Sequence, residues 1–132
     1  MDIEAIAKDV VDAAIKVHKA LGPGLLESTY RECHAYEMRQ RKYTVETEVV
    51  LPITYEGLQL DAGYRLDTWI ERAVILEHKA VEHLLPVHQA QLLTYLRLTR
   101  CRLGFILNWN VPLMKTGIHR FLNNYDSPFK KP

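Results

Sequence analysis

One aspartate and one short triplet dominate the chemistry this sequence can do: Asp67, and Glu77-His78-Lys79 further along. In an extended strand successive side chains alternate faces, so Glu77 and Lys79 share one face and His78 takes the other. With Glu71, Arg72 and Ala73 as a reversal, Ile70 pairs with Val74 and Asp67 falls opposite Glu77. Cross-strand neighbours on one face stand about 5 Å apart at Cβ. Two carboxylates that close repel unless a cation lies between them or one takes a proton. A hard divalent cation with oxygen ligands, Mg²⁺ or Mn²⁺, resolves the conflict. The ammonium of Lys79 would then orient a water and balance charge on a phosphate. On spacing alone these are surface salt-bridge residues. Their setting argues otherwise: the triplet closes an apolar run, Val74 to Leu76, and precedes a helix. Charges leaving a central strand are costly unless paired or bound to metal.

The elements that must position this group follow from periodicity. Asp2 caps a first helix whose apolar stripe runs from Ile3 to Val17, and Leu21-Gly22-Pro23-Gly24 breaks it. A second helix is predicted from about Leu25 to Arg41. From Thr44 to Leu51 the period becomes two, the mark of a strand. Tyr55-Glu56-Gly57-Leu58 reads as a turn, with Leu60 to Ile70 returning as the second strand of a hairpin. Ala73 to Lys79 is a third strand. Pro86 sits in the first turn of a helix reaching about Leu98. Arg102 to Trp109 is another strand, and Gly117 to Leu122 a short edge strand. The order ααβββαβ(β) predicts an α/β (α+β) fold: a central mixed sheet of about four to five strands flanked by helices. Residues 1–122 are expected to form one domain, and 123–132, with Lys130-Lys131 and two prolines, a loose tail.

Composition bounds the partners without choosing one. The 132 residues carry 17 Lys and Arg against 16 Asp and Glu. That balance argues against a nucleic-acid coat protein, whose affinity rests on many phosphate contacts, but it leaves room for local basic patches. No apolar run approaches the roughly 20 residues of a membrane helix, and no secretory signal is visible at Met1-Asp2-Ile3-Glu4. Cys33 and Cys101 read as reduced thiols, which points to the cytoplasm.

Several blocks of the sequence carry a resemblance. Gly24-Leu25-Leu26-Glu27-Ser28-Thr29-Tyr30 matches the signature of the small bacterial family called GxxExxY proteins. Further matches are Lys16-Val17-His18-Lys19, Gly63-Tyr64-Arg65-Leu66-Asp67, Glu77-His78-Lys79-Ala80-Val81, Gln91 to Tyr95, and Asn108-Trp109-Asn110-Val111-Pro112. That family is placed in the PD-(D/E)XK nuclease superfamily, so the resemblance implies a restriction-endonuclease-like core. It also implies that Asp67 is the motif aspartate, Glu77 the second acidic ligand and Lys79 the catalytic lysine. Gln91 and Tyr95 resemble the Q-x-x-x-Y helix motif of RecB-like members, which lies near metal and DNA. Glu27 is the acidic residue expected from the first core helix, and His78 would ligate metal through its backbone carbonyl. Leu66 replaces the motif proline. His78 stands where such strands carry an apolar residue, so that face is either less buried or holds a hydrogen-bonded histidine.

Other residues have plainer explanations. Tyr30 and Tyr95 are ordinary core aromatics by type, Gln91 an ordinary helix polar residue, and Glu27 a first-turn charge complementing the helix dipole. His83 and His88 lie five residues apart, which does not suit the i, i+4 metal pair of a zincin helix, and read as exposed or capping. Arg97, Arg100 and Arg102 read as a solvated face, with a phosphate-binding rim as the alternative. The expectation is a metal-dependent nuclease acting on DNA, or on RNA. The alternative is a catalytically inactive module of the same fold that binds nucleic acid or a protein. A homodimer is left open.

Overall fold

The structure is a computed structural model, which describes residues 2–61 and 63–124. The expected tail beyond Asn124 therefore lies outside the described residues. Helices α1 (Ile3–Leu21), α2 (Glu27–Gln40) and α3 (Pro86–Thr99) accompany strands β1 (Val45–Val50), β2 (Ile53–Tyr55), β3 (Leu58–Leu60), β4 (Arg65–Ile70), β5 (Val74–Lys79), β6 (Leu103–Asn108) and β7 (Ile118–Leu122). Five strands form one mixed sheet in the order β1-β4-β5-β6-β7. Only the β5–β6 pair, bridged by α3, is parallel; the others are antiparallel.

Helices cover both faces of this sheet. On one side α1 and α2 bury Ile6, Val10, Ala14, Tyr30 and Met38 against Val74, Leu76, Phe105 and Leu107. On the other, Leu92, Tyr95 and Leu96 of α3 pack with Ile75 and Ile106. Alternation along β5 thus sends Val74, Leu76 and His78 toward α1 and α2, and Ile75, Glu77 and Lys79 toward α3. Gly104 on β6 lets α3 sit close. A Cβ there would meet Leu92 Cδ1 at 3.0 Å, and Ile75 O and Leu96 Cδ2 each at 3.1 Å. Asp2 caps α1 as expected, its Oδ1 accepting from the amides of Glu4 and Ala5 at 3.0 and 3.2 Å.

The expected long return strand from Leu60 to Ile70 is the main correction. β1 does pair with that region, Val45 with Ile70 through Val50 with Arg65. Between them, however, β2 and β3 form a separate two-stranded sheet around Glu56-Gly57. Pro52 explains the break, because it has no amide to donate to a ladder. Leu51 N makes the last bond, to Tyr64 O at 2.9 Å. Gly63, at φ +81°, bends the chain back into β4.

Candidate active site

The site is built where β4 and β5 part. Their ladder pairs Ile70 with Val74, Trp69 with Ile75 and Thr68 with Leu76. The next position in that register is Asp67 opposite Glu77, and there side chains replace the backbone ladder. Asp67 N donates to Glu77 Oε2 at 3.1 Å, and His78 N donates to Asp67 Oδ2 at 2.8 Å. Each carboxylate therefore covers an amide of the opposite strand. On the other flank of β4, the register with β1 skips Glu48, the residue that would face Asp67. Glu48 has φ +52°, a left-handed conformation that L side chains adopt rarely and that concentrates at functional sites.

Burial sets the electrostatics. Glu77 is only 5% exposed, and burial together with the neighbouring Asp67 carboxylate pushes its carboxyl up to about 8. Asp67 is raised as well, chiefly by burial, against the lowering effects of the His78 amide, Lys79 and Arg31. Lys79 favours the charged form of both acids, whereas Glu27 disfavours it. An apposed pair of acids with raised affinity for protons is a site short of positive charge.

The other residues expected at the site occupy three positions around it. Glu27, in the first turn of α2, accepts from Ala80 N at 3.1 Å, just past the end of β5. It stays exposed at the rim. Among the described residues no three His, Cys, Asp or Glu side chains stand together as a ready ion-binding group. Tyr95 and Gln91 share one face of α3. Tyr95 is buried, its hydroxyl pushed up to about 12 by burial and by the charges of Glu77 and Asp67, with a hydrogen bond to Gln91 opposing. It remains a proton donor within range of the acid pair's charge. Leu92 and Leu96 on the same helix are fully buried against the sheet, with Leu93 partly so.

His78 is 1% exposed and hydrogen-bonded at both ring nitrogens. Trp109 Nε1 donates to its Nδ1 at 3.1 Å, which leaves Nε2 to donate to Thr68 Oγ1 at 3.0 Å. The ring is thereby held neutral in one tautomer, and burial lowers its affinity for protons well below the usual range. Tyr30 stacks on Trp109 with centroids 4.7 Å apart, and His34 meets both Trp109 and His78 edge-on.

Three contributors escape a reading of the residues alone. Arg31, with a side chain 17% exposed, supplies positive charge toward Asp67 and His78. Its spacing from Glu27, one helical turn, is the signal that places both on one face of α2. Asn108, beside Lys79 in the β5–β6 register, clamps Val81: its Oδ1 accepts from Val81 N and its Nδ2 donates to Val81 O, at 3.1 and 3.0 Å. Trp109 adds the indole just described and a backbone bond from its N to Lys79 O at 2.9 Å. His88 has a capping role, its Nδ1 accepting from Leu85 N at 3.1 Å at the start of α3.

The donor set suits a hard cation. Glu77 Oε1 and Asp67 Oδ1 accept no hydrogen bond among the described residues, so one oxygen of each carboxylate is free. Mg²⁺ commonly binds through one or two carboxylates, completed by water and substrate phosphate. Soft or nitrogen-preferring metals find no thiolate or free imidazole here. A family model for the PD-(D/E)XK nuclease superfamily matches residues 4–121. No curated protein and no solved structure matches the chain.

Proposed function

The chain belongs to the PD-(D/E)XK nuclease superfamily, and on that premise we propose that it is a divalent-metal-dependent nuclease hydrolysing phosphodiester bonds of nucleic acid, DNA first. One observation carries this reading: a buried Glu77 carboxylate apposed to the half-buried carboxylate of Asp67, with Lys79 on the same strand face as Glu77. Asp67 and Glu77 would hold Mg²⁺ or Mn²⁺ with the His78 carbonyl, and Glu27 would stand at the rim as a further acidic ligand. Bound there, the cation would supply Lewis-acid polarisation of the phosphate and a more acidic water.

The chain's own residues do the rest. Glu77 must release the proton that its surroundings favour, which frees both carboxylates for the ion. Lys79 orients the attacking water and offsets charge on the non-bridging oxygens as the water oxygen bonds to phosphorus and the ester bond breaks. Tyr95, kept protonated, is available as a donor beside the acid pair. Arg31 adds positive charge toward Asp67 from α2.

A second reading has its own support. Each carboxylate covers a backbone amide of the neighbouring strand, which is a structural task that an inactive binding module would also need. Cleavage assays on single- and double-stranded DNA and RNA with Mg²⁺ or Mn²⁺ separate the two. Metal-dependent cleavage by the wild type and none by Asp67→Ala is expected. Absence of both cleavage and metal binding at millimolar Mn²⁺ would leave the module.

A further inference from the structure

We propose that the groove between the base of the β2–β3 hairpin and α3 receives one unpaired nucleobase, so that single-stranded nucleic acid is the preferred substrate. The proposal rests on the nuclease reading and deepens it. The groove encloses about 420 Å³, within the range of about 300–1,000 Å³ in which small-molecule sites fall. Ile53, Val87 and Leu98 supply apolar walls, Tyr64 an exposed ring, and the buried Tyr95 part of the floor. The two tyrosine rings meet edge to face, 6.5 Å between centroids at 67°.

Three features select a base over other occupants. The groove adjoins the acid pair: Tyr95, which lines it, packs in one cluster with Leu66 and Ile106, the neighbours of Asp67 along β4 and of Glu77 across the β5–β6 register. Whatever fills it lies beside a phosphate held at that pair, the position of a base attached to the scissile nucleotide. Among the described residues no Lys, Arg, Asp or Glu lines it, so it suits an uncharged ring and not the phosphate chain. Finally, the Gln91 amide and Thr94 hydroxyl put a donor and acceptors among the apolar walls, as the hydrogen-bonding edge of a base requires. A base inside a duplex offers neither its faces nor that edge, because stacking and pairing occupy them. Aromatic stacking tolerates every base, so the stack on Tyr64 selects for strandedness ahead of sequence.

Tyr64 is 43% exposed and lies outside the two hydrophobic cores, which makes it the residue to change without unfolding the chain. The test titrates the full chain, in EDTA, with labelled oligothymidylate, oligouridylate and duplex DNA of equal length. A 5-iodouracil strand is photo-crosslinked in parallel, and Mn²⁺-dependent cleavage is followed separately. The single strands should bind at least tenfold tighter than the duplex and crosslink at Tyr64 or Tyr95. Tyr64→Leu should lower single-strand affinity about tenfold, the scale of one lost base–aromatic stack, with duplex affinity unchanged, and Tyr64→Phe should retain it. Equal affinity for duplex, crosslinks elsewhere, or a dimer that dissociates on Tyr64→Leu would overturn the proposal, the last by making the groove an interface between copies. Cleavage that ignores Tyr64 would sink the groove and spare the nuclease. Crosslinking at Tyr64 without any cleavage would do the reverse.

Discussion

Strand β5 buries polar groups on both of its faces, and the two faces treat them in opposite ways. Toward α1 and α2, His78 has both ring nitrogens bonded, to Trp109 and to Thr68. Toward α3, Glu77 meets another acid. On the first face His78 is fully satisfied, and the one buried side-chain atom without a partner among the described residues is Nδ1 of the neighbouring His34. The second face is left in want of a proton or a cation, and a buried group in want of a partner is where function is to be sought. The neutral side also serves the charged one: Thr68 adjoins Asp67, His78 lies between Glu77 and Lys79, and Trp109 N bonds Lys79 O. The indole–imidazole–hydroxyl chain thus holds the backbone that carries Asp67, Glu77 and Lys79.

The largest contrast is expected in turnover. Glu77→Gln and Asp67→Ala should each reduce metal-dependent cleavage about a thousandfold or more, the upper scale for removing one group that stabilises transition-state charge. Circular dichroism should stay that of the folded chain. Lys79→Ala should lose turnover comparably yet keep the metal-induced rise in melting temperature. Loss of both in Lys79→Ala would place the lysine in metal binding instead.

The pH dependence of stability should carry opposite signs from the two faces. Glu77 has its carboxyl raised from 4.5 to about 8. The folded state therefore holds a proton that the unfolded state has lost, and stability falls as pH rises from about 4.5 to 8. His34, pushed down to about 4 by burial, and His78, lower still than its ordinary value, stay neutral where the unfolded chain would be protonated. From that side stability falls as pH drops below about 6.5, the His34 contribution flattening below about 4. Glu77→Gln should remove most of the alkaline decline, gaining up to roughly 4 kcal/mol at pH 8 on the scale of 1.4 kcal/mol per pKa unit, with the remainder from the raised Asp67 carboxyl, and leave the acid one. Urea melts across pH 4–9 decide the matter; an unchanged alkaline limb in Glu77→Gln would show that the acid pair is not strained.

Trp109→Phe tests the neutral face with a smaller effect. It keeps most of the ring but withdraws the donor from His78 Nδ1, leaving a buried acceptor unpaired at a loss of about 1–3 kcal/mol. Equal stability of variant and wild type would mean that the imidazole finds another partner. The smallest shift is that of the cation. At ten times its dissociation constant, Mg²⁺ or Mn²⁺ should stabilise the wild type by about 1.4 kcal/mol through preferential binding to the folded state. Differential scanning calorimetry should show no such shift for Glu77→Gln; an equal shift would locate the ion elsewhere.

How much of this could be read from the sequence depends on how local the cause is. The five-strand sheet, the flanking helices and the facing of Glu77 with Lys79 follow from alternation and from a short reversal, and these survive as local rules. The separate β2–β3 sheet escaped because Leu60 to Ile70 keeps a strand-like composition while Pro52 and Gly63 redirect it. At His78 the sequence left two alternatives, and the structure shows the hydrogen-bonded one. Its partners could not be named, since Trp109 lies 31 positions away and only packing of β6 beside β5 joins them. Arg31 was hidden differently: an arginine on a helix is ordinary until the sheet edge it faces is known.

The turn between β4 and β5 has one more implication. Glu71 and Arg72 both take left-handed φ, +54° and +50°, without the help of glycine. Ala73 N closes on Ile70 O at 2.9 Å, Glu71 N bonds Thr44 O at 2.9 Å, and Arg72 grips both oxygens of Glu46 at 2.9 Å while lying over Trp69. The number of residues in this bend decides which side chains meet further up, as the length of a hinge pin decides which holes align. Adding or removing one residue would turn a strand over and bring a carboxylate into the histidine's place. The length of this bend therefore sets which side chains share the face of the acid pair.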